Sequence, residues 1–122
     1  MMIDKVLQYF KDFSNQNIEA LSEMFSEDIH LCDWNIDVTG KENVLREIQK
    51  IYDGVESITI KPVYFYSNDK NWFACEILIE GRTVGVYAGS TWQEGDPINL
   101  EVVDVIHIND NGLIESIKAY KR

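Results

Sequence analysis

From Ile3 to Phe13 apolar residues recur every three or four positions, at Ile3, Val6, Leu7, Phe10 and Phe13, which is the spacing of one face of a helix. Tyr9 falls beside that stripe, next to Val6 and Phe13. After the polar SNQN the same period returns at Ile18, Leu21, Met24 and Phe25, predicting a second, shorter helix and hence a helical hairpin. Between residues 28 and 38 the period drops to two. Ile29, Leu31 and Asp33 fall on one side and His30, Cys32, Trp34, Ile36 and Val38 on the other, so a strand covered on both faces is expected. Thr39 followed by Glu42 has the spacing of a capping box and predicts the start of a third helix. Its stripe is Val44, Leu45, Ile48, Ile51 and Tyr52, and Gly54 is placed to end it.

The remainder reads as strands: Val55–Tyr66, Trp72–Glu80, Thr83–Trp92, Leu100–Ile108 and Leu113–Tyr120. Turn signals separate them at SNDKN, EGR, QEGDPIN and NDNG, the last with an Asn-Gly pair suited to a hairpin. Pro62 cannot donate to a ladder, so its strand should lie at an edge or carry a bulge. Helices followed by a long antiparallel run imply an α+β domain in which three helices cover one curved sheet, leaving room for a concave pocket between them.

With 122 residues, 45% of them hydrophobic, the chain fits one domain over residues 1–122. Eleven basic against 21 acidic residues give a net charge of -10, which disfavours nucleic acid and anionic membrane surfaces as partners. The two cysteines, Cys32 and Cys75, have neither CxxC nor zinc-ligand spacing and are expected to be reduced core residues. The start MMIDKVLQYF has no apolar leader, and no stretch approaches the roughly 18 apolar residues of a membrane span, so a cytoplasmic protein is expected.

Two aspartates interrupt apolar rows. Asp104 shares a strand face with Leu100, Val102, Ile106 and Ile108, as Asp33 follows Ile29 and Leu31. Burying an ionised carboxylate costs several kcal/mol unless it is paired, takes up a proton, or faces water in a cavity. Among basic residues only Lys61 and Lys118 fall mid-strand. Each aspartate therefore either serves a structural hydrogen bond, Asp33 to amides of the following loop and Asp104 to a neighbouring hydroxyl or tyrosine, or is a tuned acid or base in a pocket. A calcium loop opening at Asp33, Asn35 and Asp37 fails, because its sixth and twelfth positions are Val38 and Val44 rather than Gly and Glu. His30 and His107 lack a second histidine at ligand spacing and read as polar groups at the sheet surface or under a helix, and no metal or cofactor is implied.

Three stretches, VLQYFKDFSNQNIEALSEMFSEDIHLCDW, TGKENVLREI and VVDVIHINDNGLIESIKAY, together resemble the nuclear transport factor 2-like superfamily, closest to its SnoaL-like and ketosteroid isomerase-like members. The resemblance implies a cone-shaped, mostly antiparallel sheet packed on three helices around a deep pocket, and a homodimer formed through the sheet. In the isomerases an aspartate base moves a proton beside a carbonyl while a tyrosine and a neutral aspartic acid donate hydrogen bonds to the enolate oxygen. By that resemblance Asp33 is the base and Tyr9 with Asp104 the oxyanion donors. Phe13, Trp34 and Trp92 are then expected to contact a small hydrophobic carbonyl ligand, in an isomerase or cyclase without cofactor. Trp34 stands where the isomerases tend to have proline, the loop from Asp33 to Gly40 is short, and Tyr52 is offset from their supporting tyrosines, departures that count against a steroid-sized substrate. The alternative is a non-catalytic ligand-binding or dimerisation domain, its pocket filled by Trp34, Trp92 and other large side chains. Epoxide hydrolysis or dehydration needs an arginine or histidine in the pocket, whereas Arg46 falls on a helix and Arg82 in a turn.

Overall fold

In the computed structural model, which describes residues 2–68, 70–84 and 95–122, the first apolar stripe becomes helix α1 (Met2–Ser14) and buries Val6, Tyr9, Phe10 and Phe13. Asn17 caps α2 (Ile18–Met24) by accepting a 3.1 Å hydrogen bond from the Ala20 N–H. The remaining elements are β1 (Phe25–Cys32), β2 (Asp37–Thr39), α3 (Lys41–Asp53), β3 (Val55–Ser67), β4 (Trp72–Thr83), β5 (Pro97–Ile108) and β6 (Ile114–Lys121). The six strands form one curved sheet in the order β2-β1-β6-β5-β4-β3, antiparallel throughout except for the parallel pair β1 and β6. This is the expected α+β architecture of three helices on a curved, mostly antiparallel sheet. No described helix is long and apolar enough to cross a membrane.

The inner face is the apolar row of each strand but the short β2: Ile29 and Leu31, Ile58 and Ile60, Phe73 and Ile77, Val102 and Ile106, Ile114 and Ile117, all buried. Each such side chain contributes about 1.5–3 kcal/mol by leaving water. Helix α1 is pinned across this face at both ends. Lys5 Nζ donates to the Gly112 carbonyl at 2.7 Å in the β5–β6 turn. At the other end Ser14 Oγ donates to the Phe10 carbonyl at 2.7 Å and accepts from the Ile60 N–H of β3 at 2.9 Å. Tyr9, between the two anchors, is held over the sheet.

Pro62 lies on the edge strand β3, and the register with β4 shifts between Pro62 and Tyr64, so the missing donor falls at a bulge. Gly54 is the C-cap of α3, its N–H donating to the Ile51 and Tyr52 carbonyls. Other expectations are corrected. Phe25 is not part of the second helix's apolar stripe: it is the extended C-cap of α2, its N–H donating to the Leu21 carbonyl, and it opens β1. The strand expected over residues 28–38 breaks into β1 and β2 at a turn over residues 33–36, which closes when the Asp33 N–H donates to the Ile36 carbonyl at 2.7 Å. Thr39 does not cap α3: it pairs with His30 as the last residue of β2, and the N-cap is Gly40 at φ +100°, with no side-chain cap. EGR is not a turn either, because β4 runs straight through it to Thr83. A Cβ on Gly81 would sit 2.1 Å from the Ser57 carbonyl oxygen, so glycine there serves a close approach of strands. The Thr83 N–H donates to the Asp96 carbonyl at 2.9 Å, so β4 pairs directly with β5, whose first residue is Pro97. The strand expected over residues 83–92 otherwise lies outside the described residues. Cys75 is buried and free, whereas Cys32, also free, is only half-buried.

Candidate active site

Asp104 sits on β5, between β4 and β6, with Cys75 and Ala119 as its cross-strand partners. Alternation turns it inward between Val102 and Ile106, and it is 5% exposed. Its two flanking partners are small, which leaves space around the carboxyl. Asp33 arrives differently. It follows the last residue of β1, and its Oδ1 accepts from the Asn35 N–H and the Ile36 N–H, both at 2.7 Å, an Asx turn locked by the buried Ile36. Tyr9 comes from the middle of α1 and is 3% exposed.

These three groups line one cavity of about 80 Å³, together with Phe13, Trp34 and Asn35. The rest of its lining is aliphatic, from Leu31, Ile48, Ile51, Ile58, Ile60, Ile79, Leu100, Ile117 and Ala119, and it includes no basic side chain among the described residues. Lys121 stands 5.4 Å from the Trp34 ring centroid and ties that ring to β6. Trp92 lies outside the described residues, so its expected contact has no structural counterpart here.

The carboxyls differ in what they touch. Asp33 Oδ1 is occupied by two backbone donors, while the Tyr9 hydroxyl and the Asp104 carboxyl make no hydrogen bond to any described residue. Among the described residues the one side-chain polar atom sealed from solvent without a partner is Ser26 Oγ. The Tyr9 and Asp104 oxygens therefore keep accessible surface, and that surface is the cavity wall they form. Burial, and then the charge of Asp33, push the Asp104 carboxyl up to about 7. Burial also raises Asp33, with Glu47 adding to the effect and the Asn35 and Ile36 amides opposing it. Tyr9 is held well above its ordinary value by burial and then by Asp104, Tyr52 and Asp33, so its hydroxyl stays protonated across the physiological range. Beneath Asp104, burial and the aspartate push the Cys75 thiol up to about 12, so that it is no nucleophile.

Asp33 thus makes the expected bonds to amides of the following loop and also lines the cavity, whereas Asp104 makes no bond to a neighbouring hydroxyl among the described residues. Tyr52 does not line the cavity: its hydroxyl donates to the Phe13 carbonyl at 2.7 Å and its ring meets Phe13 at 5.3 Å, which fixes α3 to α1. Asn35 and Ala119 were not singled out by periodicity. Asn35 enters through the Asx turn and Ala119 through pairing with Asp104, and only the second leaves a signal in sequence, a small residue inside an apolar strand.

The sequence profile of the SnoaL-like domain matches residues 6–117. The chain belongs to the SnoaL-like family. Solved structures agree on the fold of this SnoaL-like chain. A candidate polyketide cyclase from Xanthomonas campestris superposes with a TM-score of 0.86 at 16% identity, covering 99% of this chain and 90% of that one. The epoxide hydrolase/cyclase-like enzyme SalBIII, described for pyran ring formation in salinomycin, gives 0.81 at 18% identity over 99% and 90%. A ketosteroid isomerase-like protein from Catenulispora acidiphila, solved with trimethylamine, gives 0.76 at 16% identity over 94% and 82%. At such identities the likeness is one of fold. No curated protein sequence matches the chain.

Proposed function

We propose that this SnoaL-like protein is a cofactor-independent isomerase or cyclase that transfers a proton next to the carbonyl of a small apolar substrate. The observation that carries the reading is the convergence of Asp33, Tyr9 and Asp104 on one mostly apolar cavity, with the Tyr9 and Asp104 oxygens free of hydrogen bonds to any described residue. Asp33 is the base. Its Oδ1 is anchored to two amides, which orients the carboxylate and leaves Oδ2 to take the α-proton. As the carbon–hydrogen bond breaks, its electron pair becomes the enolate, and charge gathers on the carbonyl oxygen. The Tyr9 hydroxyl and the protonated Asp104 donate to that oxygen in a site poor in competing dipoles. The proton then returns from Asp33 to another carbon, or the enolate carbon attacks a second carbonyl to close a ring, breaking that C=O π bond to an alkoxide to which Asp33 returns its proton.

The volume restricts the substrate. A cavity of about 80 Å³ lies far below the roughly 300–1,000 Å³ of pockets for drug-sized ligands, so a short enone or β-keto compound fits the reading and a steroid does not. Absence of a basic lining residue among those described weighs against epoxide opening. The same small volume favours, as the second reading, a non-catalytic binding domain. Turnover of short enones and β-keto compounds by the wild-type protein and by Asp33→Asn decides between them: loss of activity in the variant supports the base, and unchanged turnover removes it.

The reading includes a homodimer through the outer sheet face. Tyr64, Tyr66 and Tyr120 project there with exposures of 61%, 57% and 60%, beside Val63 at 48%, more apolar surface than an isolated strand needs. Sedimentation giving twice the 14.1 kDa chain mass is the expected result, and a monomer at every concentration rejects it.

A further inference from the structure

Away from the cavity, the hairpin that carries Asp33 holds a second cluster. His30 and Cys32 lie two apart on β1 and so share a face, opposite to the buried Ile29 and Leu31. Asp37, the first residue of β2, is the cross-strand partner of Cys32. The His30 nitrogen, the Cys32 sulfur and an Asp37 oxygen all lie within 4.8 Å of one another, with His30 Nε2 and Asp37 Oδ1 at 2.6 Å. Cys32 is free and not fully buried.

We infer that His30, Cys32 and Asp37 form a binding site for a divalent transition-metal ion of the zinc class, placed as a staple across the base of the turn that presents Asp33. Imidazole, thiolate and carboxylate are the donor set of zinc, which takes three protein ligands and a water in an open tetrahedral site, whereas magnesium and calcium require oxygen cages. Donors around a tetrahedral zinc stand roughly 3.3–3.6 Å apart, given bonds of about 2.0–2.3 Å. Reaching that spacing opens the 2.6 Å His30–Asp37 pair by about 0.7 Å and closes any longer separation, at most 4.8 Å, by about 1 Å, within the rotamer freedom of partly exposed side chains beside the sheet edge. Binding displaces the Cys32 thiol proton to solvent and requires a neutral His30. Lys118 stands in register beside Cys32 on β6 and its charge works against a cation, so donor geometry favours the ion more than local potential does.

The position gives the site a consequence. Cys32 and Asp37 immediately flank the segment from Asp33 to Ile36, so an ion joining them holds the Asx turn closed from outside. The site stands independently of the activity proposed above, and its test reads no turnover.

The probe is Co²⁺ added to the reduced full chain, followed by Zn²⁺ competition. A thiolate-to-cobalt charge-transfer absorption that saturates at one equivalent and is erased by Zn²⁺ is expected. Cys32→Ser should abolish it and Cys75→Ser should leave it intact. His30→Ala and Asp37→Asn, both at side chains open to solvent where folding is safe, should each weaken Co²⁺ binding at least tenfold. Zn²⁺ should raise the melting temperature of the wild type but not of Cys32→Ser, and Mg²⁺ should raise neither. No charge-transfer band in the wild type, a band that survives Cys32→Ser, or binding indifferent to both His30→Ala and Asp37→Asn would overturn the inference.

Discussion

Asp33 and Asp104 face the same cavity from opposite structural situations. Asp104 is embedded in an inner strand, flanked by Cys75 and Ala119 and given no hydrogen bond by any described residue, so the fold tolerates it best as a neutral acid. Asp33 stands at a chain reversal with two amides fixed on one oxygen, an arrangement that supports a carboxylate and moderates the rise caused by burial. Burial raises both carboxyls, but only at Asp33 do hydrogen bonds to the ionised form oppose the rise. The two aspartates thus differ in burial as well as in backbone donors, and in the proposed mechanism that difference gives them complementary roles.

The largest expected effect comes from removing the proposed base. Asp33→Asn keeps an oxygen for both amides but has no proton affinity, so kcat should fall by about 10²–10⁴-fold with the turn preserved. A steady-state assay alongside circular dichroism separates the two, and a full-rate variant would break the comparison outright. Asp104 should respond with the opposite sign in stability. Its folded value of about 7 exceeds the ordinary 3.8, so the native state binds the proton more tightly than the unfolded chain. Wild-type stability is then greatest with respect to this group below about pH 4 and declines as pH rises to about 7. The full penalty above that window is roughly 4 kcal/mol, since each tenfold gain in proton affinity on folding is worth about 1.4 kcal/mol. Asp104→Asn, with the same volume and no charge, should unfold at higher urea concentration than wild type at pH 8, and the gap should close by pH 4. Parallel curves for the two proteins across that range would mean that Asp104 carries no raised proton affinity. In activity, the wild-type rate should fall as Asp104 ionises above about pH 7, and this upper limb should vanish in the variant.

This contrast was only half legible in sequence. Asp104 could be placed because strand alternation is strict, and Leu100, Val102, Ile106 and Ile108 fix its direction whatever the neighbouring strands do. The helices were legible for the same reason, their stripes being built from large residues that the core needs. Asp33 could be singled out but its setting could not. The turn from Asp33 to Ile36 contains neither Gly nor Pro; it is made by the aspartate's own side chain, and a period-two reading continues across it. Thr39 misled in the same region because pairing with His30 outweighs its capping preference, and Gly81 misled because a close strand approach, not a turn, demands glycine there. In both cases a local preference was outweighed by long-range strand pairing.

A smaller effect tests the third member of the site. Tyr9→Phe removes one donor to the developing oxyanion, for which about a 10²-fold loss in kcat is expected. Because the hydroxyl makes no hydrogen bond to a described residue, stability should scarcely change. A large loss of stability with unaltered kcat would make Tyr9 a packing residue and leave Asp104 as the only donor.

The finest distinction concerns the part of Asp33 that serves the fold. Asp33→Ala and Asp33→Asn are both uncharged, so comparing them removes electrostatics from the measurement and isolates the two amide bonds. Asparagine retains a side-chain acceptor for the Asn35 and Ile36 N–H groups, whereas alanine leaves them without one, and Ile36 is buried enough that water is a poor substitute. Asp33→Ala should therefore be less stable than Asp33→Asn by about 1–2 kcal/mol, the usual cost of an unpaired buried donor. Urea titration of the pair at one pH gives this difference directly. Equal stabilities would show that the turn is held by Ile36 packing and the Asp33 N–H to Ile36 carbonyl bond alone. The carboxylate would then owe its orientation to the cavity, and the asymmetry between the two aspartates would come from burial instead of from backbone donors.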